Sequence, residues 1–218
     1  MKKLLLYVTV LITTLALTPP ASAATILVFQ FANGDPLTQD AAVPQGYGDN
    51  VTANVTGLYN YGGAAPFTPN ITVAYTTGGS GIFTATGTPP EYGGLGTVLY
   101  SSDPYTITFT ADPGFLVKLE SFNLAGFQTD ETLTYSVSNG GTPFTVTGAA
   151  APTALPNFVD LNLRAEATGQ VVTLTFSSLN DLIGVTDISF SQIPEPSTYA
   201  LLALGLGALV FLRRRSAA

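Results

Sequence analysis

Three residue types are absent from this chain of 218 residues: cysteine, histidine and tryptophan. Without cysteine there is neither a disulfide framework nor a thiolate zinc site. Without histidine no imidazole can act as a general base, which removes Ser-His-Asp and Cys-His nucleophile systems. Without tryptophan the broadest platform for stacking on a sugar ring is missing. Basic residues are scarce as well. Of seven Lys and Arg, five sit at the two ends: Lys2, Lys3, Arg213, Arg214 and Arg215. Between Ala24 and Ile193, thirteen Asp and Glu face only Lys118 and Arg164, leaving that stretch near −11. Such a surface repels phosphate backbones and anionic headgroups, so no nucleic-acid partner is expected. Divalent cations, neutral sugars and other proteins remain open.

Long apolar runs are confined to the ends, and each end reads as an address. Lys2 and Lys3 precede an apolar run from Leu4 to Leu17, followed by "PPASAA". Ala21 and Ala23 occupy the small-residue positions of a signal-peptide cut between Ala23 and Ala24. The chain therefore divides into a signal peptide at 1–23, an ectodomain at 24–192 and a C-terminal tail at 193–218. The tail is "IPEPSTYALLALGLGALVFLRRRSAA". Its apolar run from Tyr199 to Leu212 would reach only about 21 Å as a helix, against a hydrocarbon core of roughly 30 Å. Snorkelling arginines extend that reach, and a short, glycine-containing span suits a temporary anchor. Arg213, Arg214 and Arg215 are expected on the cytoplasmic side, with everything before Pro194 outside.

Pro194-Glu195-Pro196, the short apolar helix and the basic cluster together resemble the PEP-CTERM sorting signal. The resemblance implies a Gram-negative surface protein held briefly in the inner membrane and cut near the motif by an exosortase. It also implies an association with exopolysaccharide and biofilm matrix. Pro194, Glu195 and Pro196 would then be recognised by that enzyme rather than act in this protein.

Between the ends, no helical period is evident from Thr25 to Gln192. Short runs of Val, Ile, Leu, Phe, Tyr and Thr recur between Gly, Pro, Asn and Asp clusters. "YTITFT" and "QVVTLTF" alternate apolar with threonine, the pattern of strands with one buried and one solvated face. In "FLVKLESFNLAGF" the parity changes, and a bulge near Glu120–Ser121 would bring Val117, Leu119, Phe122 and Leu124 to one side. "LTYSVSNGGTPFTV" predicts a hairpin turning at Asn139-Gly140. About eleven such runs predict an all-β fold, an antiparallel β-sandwich. The closing Gly184-Val185, Asp187-Ile188 and Phe190 are similar to the last strand of galactose-binding-like jelly rolls, which include many carbohydrate-binding modules. That resemblance implies a jelly-roll type of sandwich, with no ligand specified.

Three kinds of chemistry are conceivable for the ectodomain. A structural Ca²⁺ needs six to eight oxygens, and Asp49 and Asp187 are the candidates to supply some of them. The alternative is that Asp beside Gly or Pro bonds nearby amides in a turn. No cofactor beyond that cation is expected. A polysaccharide or matrix component could stack on Tyr47, Tyr61 or Tyr92, which fall in or beside glycine-rich loops. The alternative is that these rings close the ends of the core. Glycoside hydrolysis needs two carboxyls about 5–10 Å apart, and no pair stands out; adjacent Asp130 and Glu131 would face opposite ways on a strand. The expectation is thus an exported, exosortase-processed, non-enzymatic surface or matrix protein that binds exopolysaccharide. A purely structural or adhesive matrix protein, or a carbohydrate-active enzyme, are the alternatives.

Overall fold

The computed structural model describes residues 23–29, 37, 39–53, 60–62, 67–79, 81–87, 91–127, 133–140, 145–150, 159–162, 167–178, 182–195, 202, 204–209 and 213. The expected signal peptide up to Ser22, together with Pro196, Arg214, Arg215, Asp130 and Glu131, lies outside these residues. In chain order the strands are β1 (Ala23–Val28), β2 (Asn60–Gly62), β3 (Ile71–Thr77), β4 (Phe83–Gly87), β5 (Gly96–Ser101), β6 (Tyr105–Ala111) and β7 (Phe115–Gly126). They continue with β8 (Leu133–Ser138), β9 (Thr145–Ala150), β10 (Val159–Asn162), β11 (Thr168–Gly169), β12 (Val171–Ser178) and β13 (Ile183–Pro194). One 3₁₀ turn, Glu91–Gly94, lies between β4 and β5.

The strands form two antiparallel sheets. One runs β10-β7-β13-β1-β2, with β11 added to β7 and the β4–β5 pair added to β13; the other runs β3-β6-β12-β8-β9. Alternation in the sequence sets which face each strand buries. On β6, Tyr105, Ile107 and Phe109 are buried, and their register partners Phe176, Leu174 and Val172 on β12 are buried beside them. Across the gap stand Val117, Leu119, Phe122, Leu124, Val185, Ile188 and Phe190 of β7 and β13. Aromatic contacts tie the two sheets: Phe109 meets Phe190 at 4.8 Å and Phe176 meets Phe122 at 5.6 Å between ring centroids. Each buried Phe contributes about 1.5–3 kcal/mol by removal from water. Two sheets facing across one apolar layer make a β-sandwich.

The parity change in β7 is resolved as expected. Ser121 pairs with Ser189 while Leu119 pairs with Phe190, so Glu120 is the extra residue on β7. A second irregularity, which alternation does not reveal, lies on β13. Thr186 pairs with Asn123 and Ser189 with Ser121, which leaves an extra residue at Asp187–Ile188. The β8–β9 hairpin forms, and Gly140 has φ of +69°. Its turn differs from the tight Asn-Gly expectation. Ser138 pairs with Thr145, so the connection spans residues 139–144. A Cβ at position 140 would lie 3.0 Å from Val171 Cβ, so the glycine is used for close packing beside β12.

In the tail, Leu202, residues 204–209 and Arg213 are helical. Leu202, Leu204, Leu206 and Leu209 are exposed. Among the described residues no helix is long and apolar enough to cross a membrane.

Candidate functional site

The last strand, β13, positions the sorting motif. It is the hub of the larger sheet, pairing with β1, β5 and β7. Gln192 pairs with Val117, Ile193 with Leu116 and Pro194 with Phe115. The Gln192 side chain accepts the Asn70 N–H at 2.9 Å. Pro194 has no N–H, and the final backbone bond is donated by Glu195 N–H to the Gly114 carbonyl at 2.9 Å. The Pro-Glu-Pro motif therefore begins inside the folded sheet. On the other side of β13, Ala23 is the partner of Gln192 and Ala24 of Ser191. The start of the ectodomain and the start of its tail leave one end of one sheet as neighbours. We call this end the sorting pole.

Asp49 and Asp187 do separate structural jobs. Asp49 accepts the Val73 N–H on β3, the edge strand of the smaller sheet. Beside it, Gln45 gives its amide N–H to the Tyr75 carbonyl at 2.7 Å and takes the Tyr75 N–H at 3.3 Å. Asn50 N–H adds a bond to the Ile71 carbonyl. Loop 45–50 thus satisfies the β3 edge with side chains, which blunts a surface that would otherwise recruit another strand. Asp187 occupies the β13 bulge with φ of +51°, a conformation Asp tolerates better than most side chains. Its carboxylate accepts the Asn123 side-chain N–H at 2.9 Å. Among the described residues there is no group of three or more acidic side chains that could hold a metal ion. Each aspartate thus bonds a neighbouring group, Asp49 from a loop and Asp187 from a bulge.

Two of the three expected sugar-stacking tyrosines are core residues. Tyr47 is 0% exposed, rests 5.5 Å from Phe29 and donates its hydroxyl to the Val28 carbonyl. Tyr92 is 1% exposed and lies on Gly184 of β13. A Cβ at 184 would come within 2.5 Å of Tyr92 Cδ1, so the glycine of the closing G-V-x-D-I-x-F pattern makes room for this ring. Enclosed rings have no free face for a sugar. The Tyr61 backbone, on β2, pairs with Leu27 of β1, and its side chain lies outside the described set.

Sequence reasoning passed over a different aromatic group. Phe83 and Tyr100 are register partners on β4 and β5, half-buried, with ring centroids 5.9 Å apart. Tyr100 donates its hydroxyl to the exposed Asp40 carboxylate at 3.1 Å. Asp40 is held at φ of +57° by its N–H bond to the Thr84 carbonyl. Burial first, then the bond to Asp40 and that group's charge, raise the Tyr100 pKa above its ordinary value. Partly open rings beside a carboxylate acceptor suit a hydroxyl-rich ligand. The signal was available only as "TQD" and "TVLYS" lying sixty residues apart, with nothing local to join them.

The outer face of the smaller sheet is chemically uniform. None of the residues of β3, β6, β8, β9 or β12 is charged. Thr76, Thr106, Thr175 and Ser136 form one register row across four strands; Thr108, Thr173 and Ser138 form another. These side chains are exposed or half-exposed. In a domain so rich in acids, the negative charge has been kept off one whole sheet.

With that geometry in place, residues 192–216 match the PEP-CTERM protein-sorting motif. The match begins at Gln192, within β13. The motif implies export and a transient membrane-anchored state. No curated protein matches this chain. Among solved structures, TmCBM61 in complex with β-1,4-galactotriose is similar over 56% of this chain and 88% of that one, at 12% identity and a TM-score of 0.36. The enzymatically active domain of tailspike protein 4 from bacteriophage CBA120 is similar over 57% of this chain and 19% of that one, at 16% identity and a TM-score of 0.33. Likenesses this distant transfer neither ligand nor reaction.

Proposed function

We propose that this chain is a non-enzymatic surface or extracellular-matrix protein of a Gram-negative bacterium, a β-sandwich of jelly-roll type that contacts neutral polysaccharide. It is exported on its N-terminal signal and held in the inner membrane by its tail. An exosortase then frees it. The observation that carries the reading is the continuity of the sorting motif with β13, side by side with Ala23 at the sorting pole. The tail follows β13 at the same end where β1 begins, so a chain held by its tail would stand on that end of the sandwich. Support for a neutral polymer comes from the charge-free threonine face and the Phe83–Tyr100–Asp40 group. Support for the non-enzymatic part comes from the sequence, which has no histidine or cysteine to serve as base or nucleophile.

Two measurements test this. Replacing Pro194, Glu195 and Pro196 by alanine should leave the protein in the membrane fraction with its tail attached, while the parent chain is released. Equal release of both contradicts processing. In a binding assay, neutral polysaccharides should be retained with little dependence on salt, because no counterions are released. Tyr100→Ala should weaken retention several-fold. Silence across neutral polymers would leave a purely structural or adhesive matrix protein.

A further inference from the structure

We infer that the sorting tail is cut C-terminal to Glu195, so that the released protein keeps the whole of β13 and ends at or beyond Glu195. The inference rests on the processing reading above and adds where the cut falls. An enzyme that cleaves a peptide binds it extended and bonds its backbone N–H and C=O groups. The first residues of the matched motif already lie in the sheet, paired along one edge with β7. In the chain that begins at Ala24, Ser191 still lies between Ala24 and Lys118, and Gln192 pairs with Val117, Ile193 with Leu116 and Pro194 with Phe115 on β7. Gln192 is 9% exposed and its side chain is bonded to Asn70, while Glu195 N–H is bonded to Gly114. The folded sandwich acts as a stop: it hands a peptidase nothing upstream of Glu195.

Chain order makes the two processing events differ. The Ala23–Ala24 bond lies inside β1, whose partner is β13, the last strand to be synthesised and exported. The signal cut therefore takes place before β13 can close over it. The tail cut comes after β13 has crossed and docked, and so meets a closed sheet. In that step water adds across the peptide bond: the upstream residue leaves as a new carboxylate, and the departing tail takes the new amine.

The test is the intact mass of protein released when the full chain is expressed in a Gram-negative host that carries an exosortase. The expected species begins at Ala24 and ends at Glu195 or further on, short of Arg213. A C-terminus at any residue from 191 to 194 overturns the inference and leaves the processing reading standing. A species that retains Arg213–Arg215 overturns both. Phe115→Ala weakens the strand opposite Pro194 without altering the motif. In that variant the fraction of molecules ending upstream of Glu195 should rise several-fold; an unchanged single end would mean that the fold does not set the cut.

Discussion

Ala23 stands opposite Gln192 across the β1–β13 ladder, so the residue expected to precede the signal cut and the first residue of the sorting match are direct neighbours. First and last strands are paired although they are separated by nearly the whole ectodomain. Loop closure on that scale carries an entropic cost that grows only slowly with length. The return is a domain with both ends at one pole. Such a domain can hang from a membrane by either end without turning over.

The roles of Asp49 and Gln45 as an edge cap lead to a clear mutational pattern. Asp49→Ala should destabilise the fold by about 1–2 kcal/mol, since the Val73 N–H loses its partner. Asp49→Asn keeps a side-chain oxygen and should cost much less. Gln45→Ala should resemble Asp49→Ala and raise aggregation by freeing the β3 edge. Urea melts with and without calcium are the check. If Asn proves as costly as Ala, and calcium raises the parent's urea midpoint but not the variant's, the carboxylate is a metal ligand instead.

Gly184 and Tyr92 form a lock. Gly184→Ala forces the Tyr92 ring off β13, since its Cβ would meet Cδ1 at 2.5 Å, and should cost about 1–3 kcal/mol. Tyr92→Ala should cost about 3–5 kcal/mol through the cavity it leaves. In the double variant the added methyl occupies part of that cavity. The two losses should sum to more than the double variant shows, by about 0.5–3 kcal/mol. Strict additivity in chemical denaturation would mean the ring and the glycine do not meet.

Tyr105 gives the fold an alkaline limit. Burial, and next the charge of Tyr92, raise its pKa well above the ordinary value, while its hydroxyl donates to the Ile183 carbonyl at 3.2 Å. Below pH about 10 the phenol is protonated in both folded and unfolded chains. Above that, the unfolded chain releases the proton while the folded chain holds it, so stability falls as pH rises. Tyr105→Phe should cost about 1 kcal/mol at neutral pH and show a shallower decline between pH 9 and 11. Parallel declines in urea midpoints would assign the alkaline limit to other groups.

Much of this molecule could be read from the chain because its signals are local. The alternation in "YTITFT" and "QVVTLTF" sets which face β6 and β12 bury, and the parity break at Glu120–Ser121 marks a real bulge. The sorting motif at the tail is a linear pattern and needs no fold. What stayed hidden depended on contacts between distant segments. Tyr47 sits in a glycine-rich run that looks like an open loop, yet Phe29 and the Val28 carbonyl enclose it. Asp187 looks like a spare carboxylate because nothing in "GVTDISF" announces an extra residue; only the register against Asn123 and Ser121 does. Gln45 has no motif at all, and its role exists only because β3 is an edge.

The pairing of the first and last strands supports both the pole and the position of the cut, and the lack of native cysteine makes it directly testable. Ala24→Cys combined with Ser191→Cys places two thiols on register partners, whose Cα separation of about 4.5–5.5 Å falls within disulfide range. In the folded chain under mild oxidation, the account predicts a single intramolecular disulfide, seen as the loss of two hydrogens in the intact mass. Two thiols that stay free in the folded protein, or that link only between molecules, would contradict it.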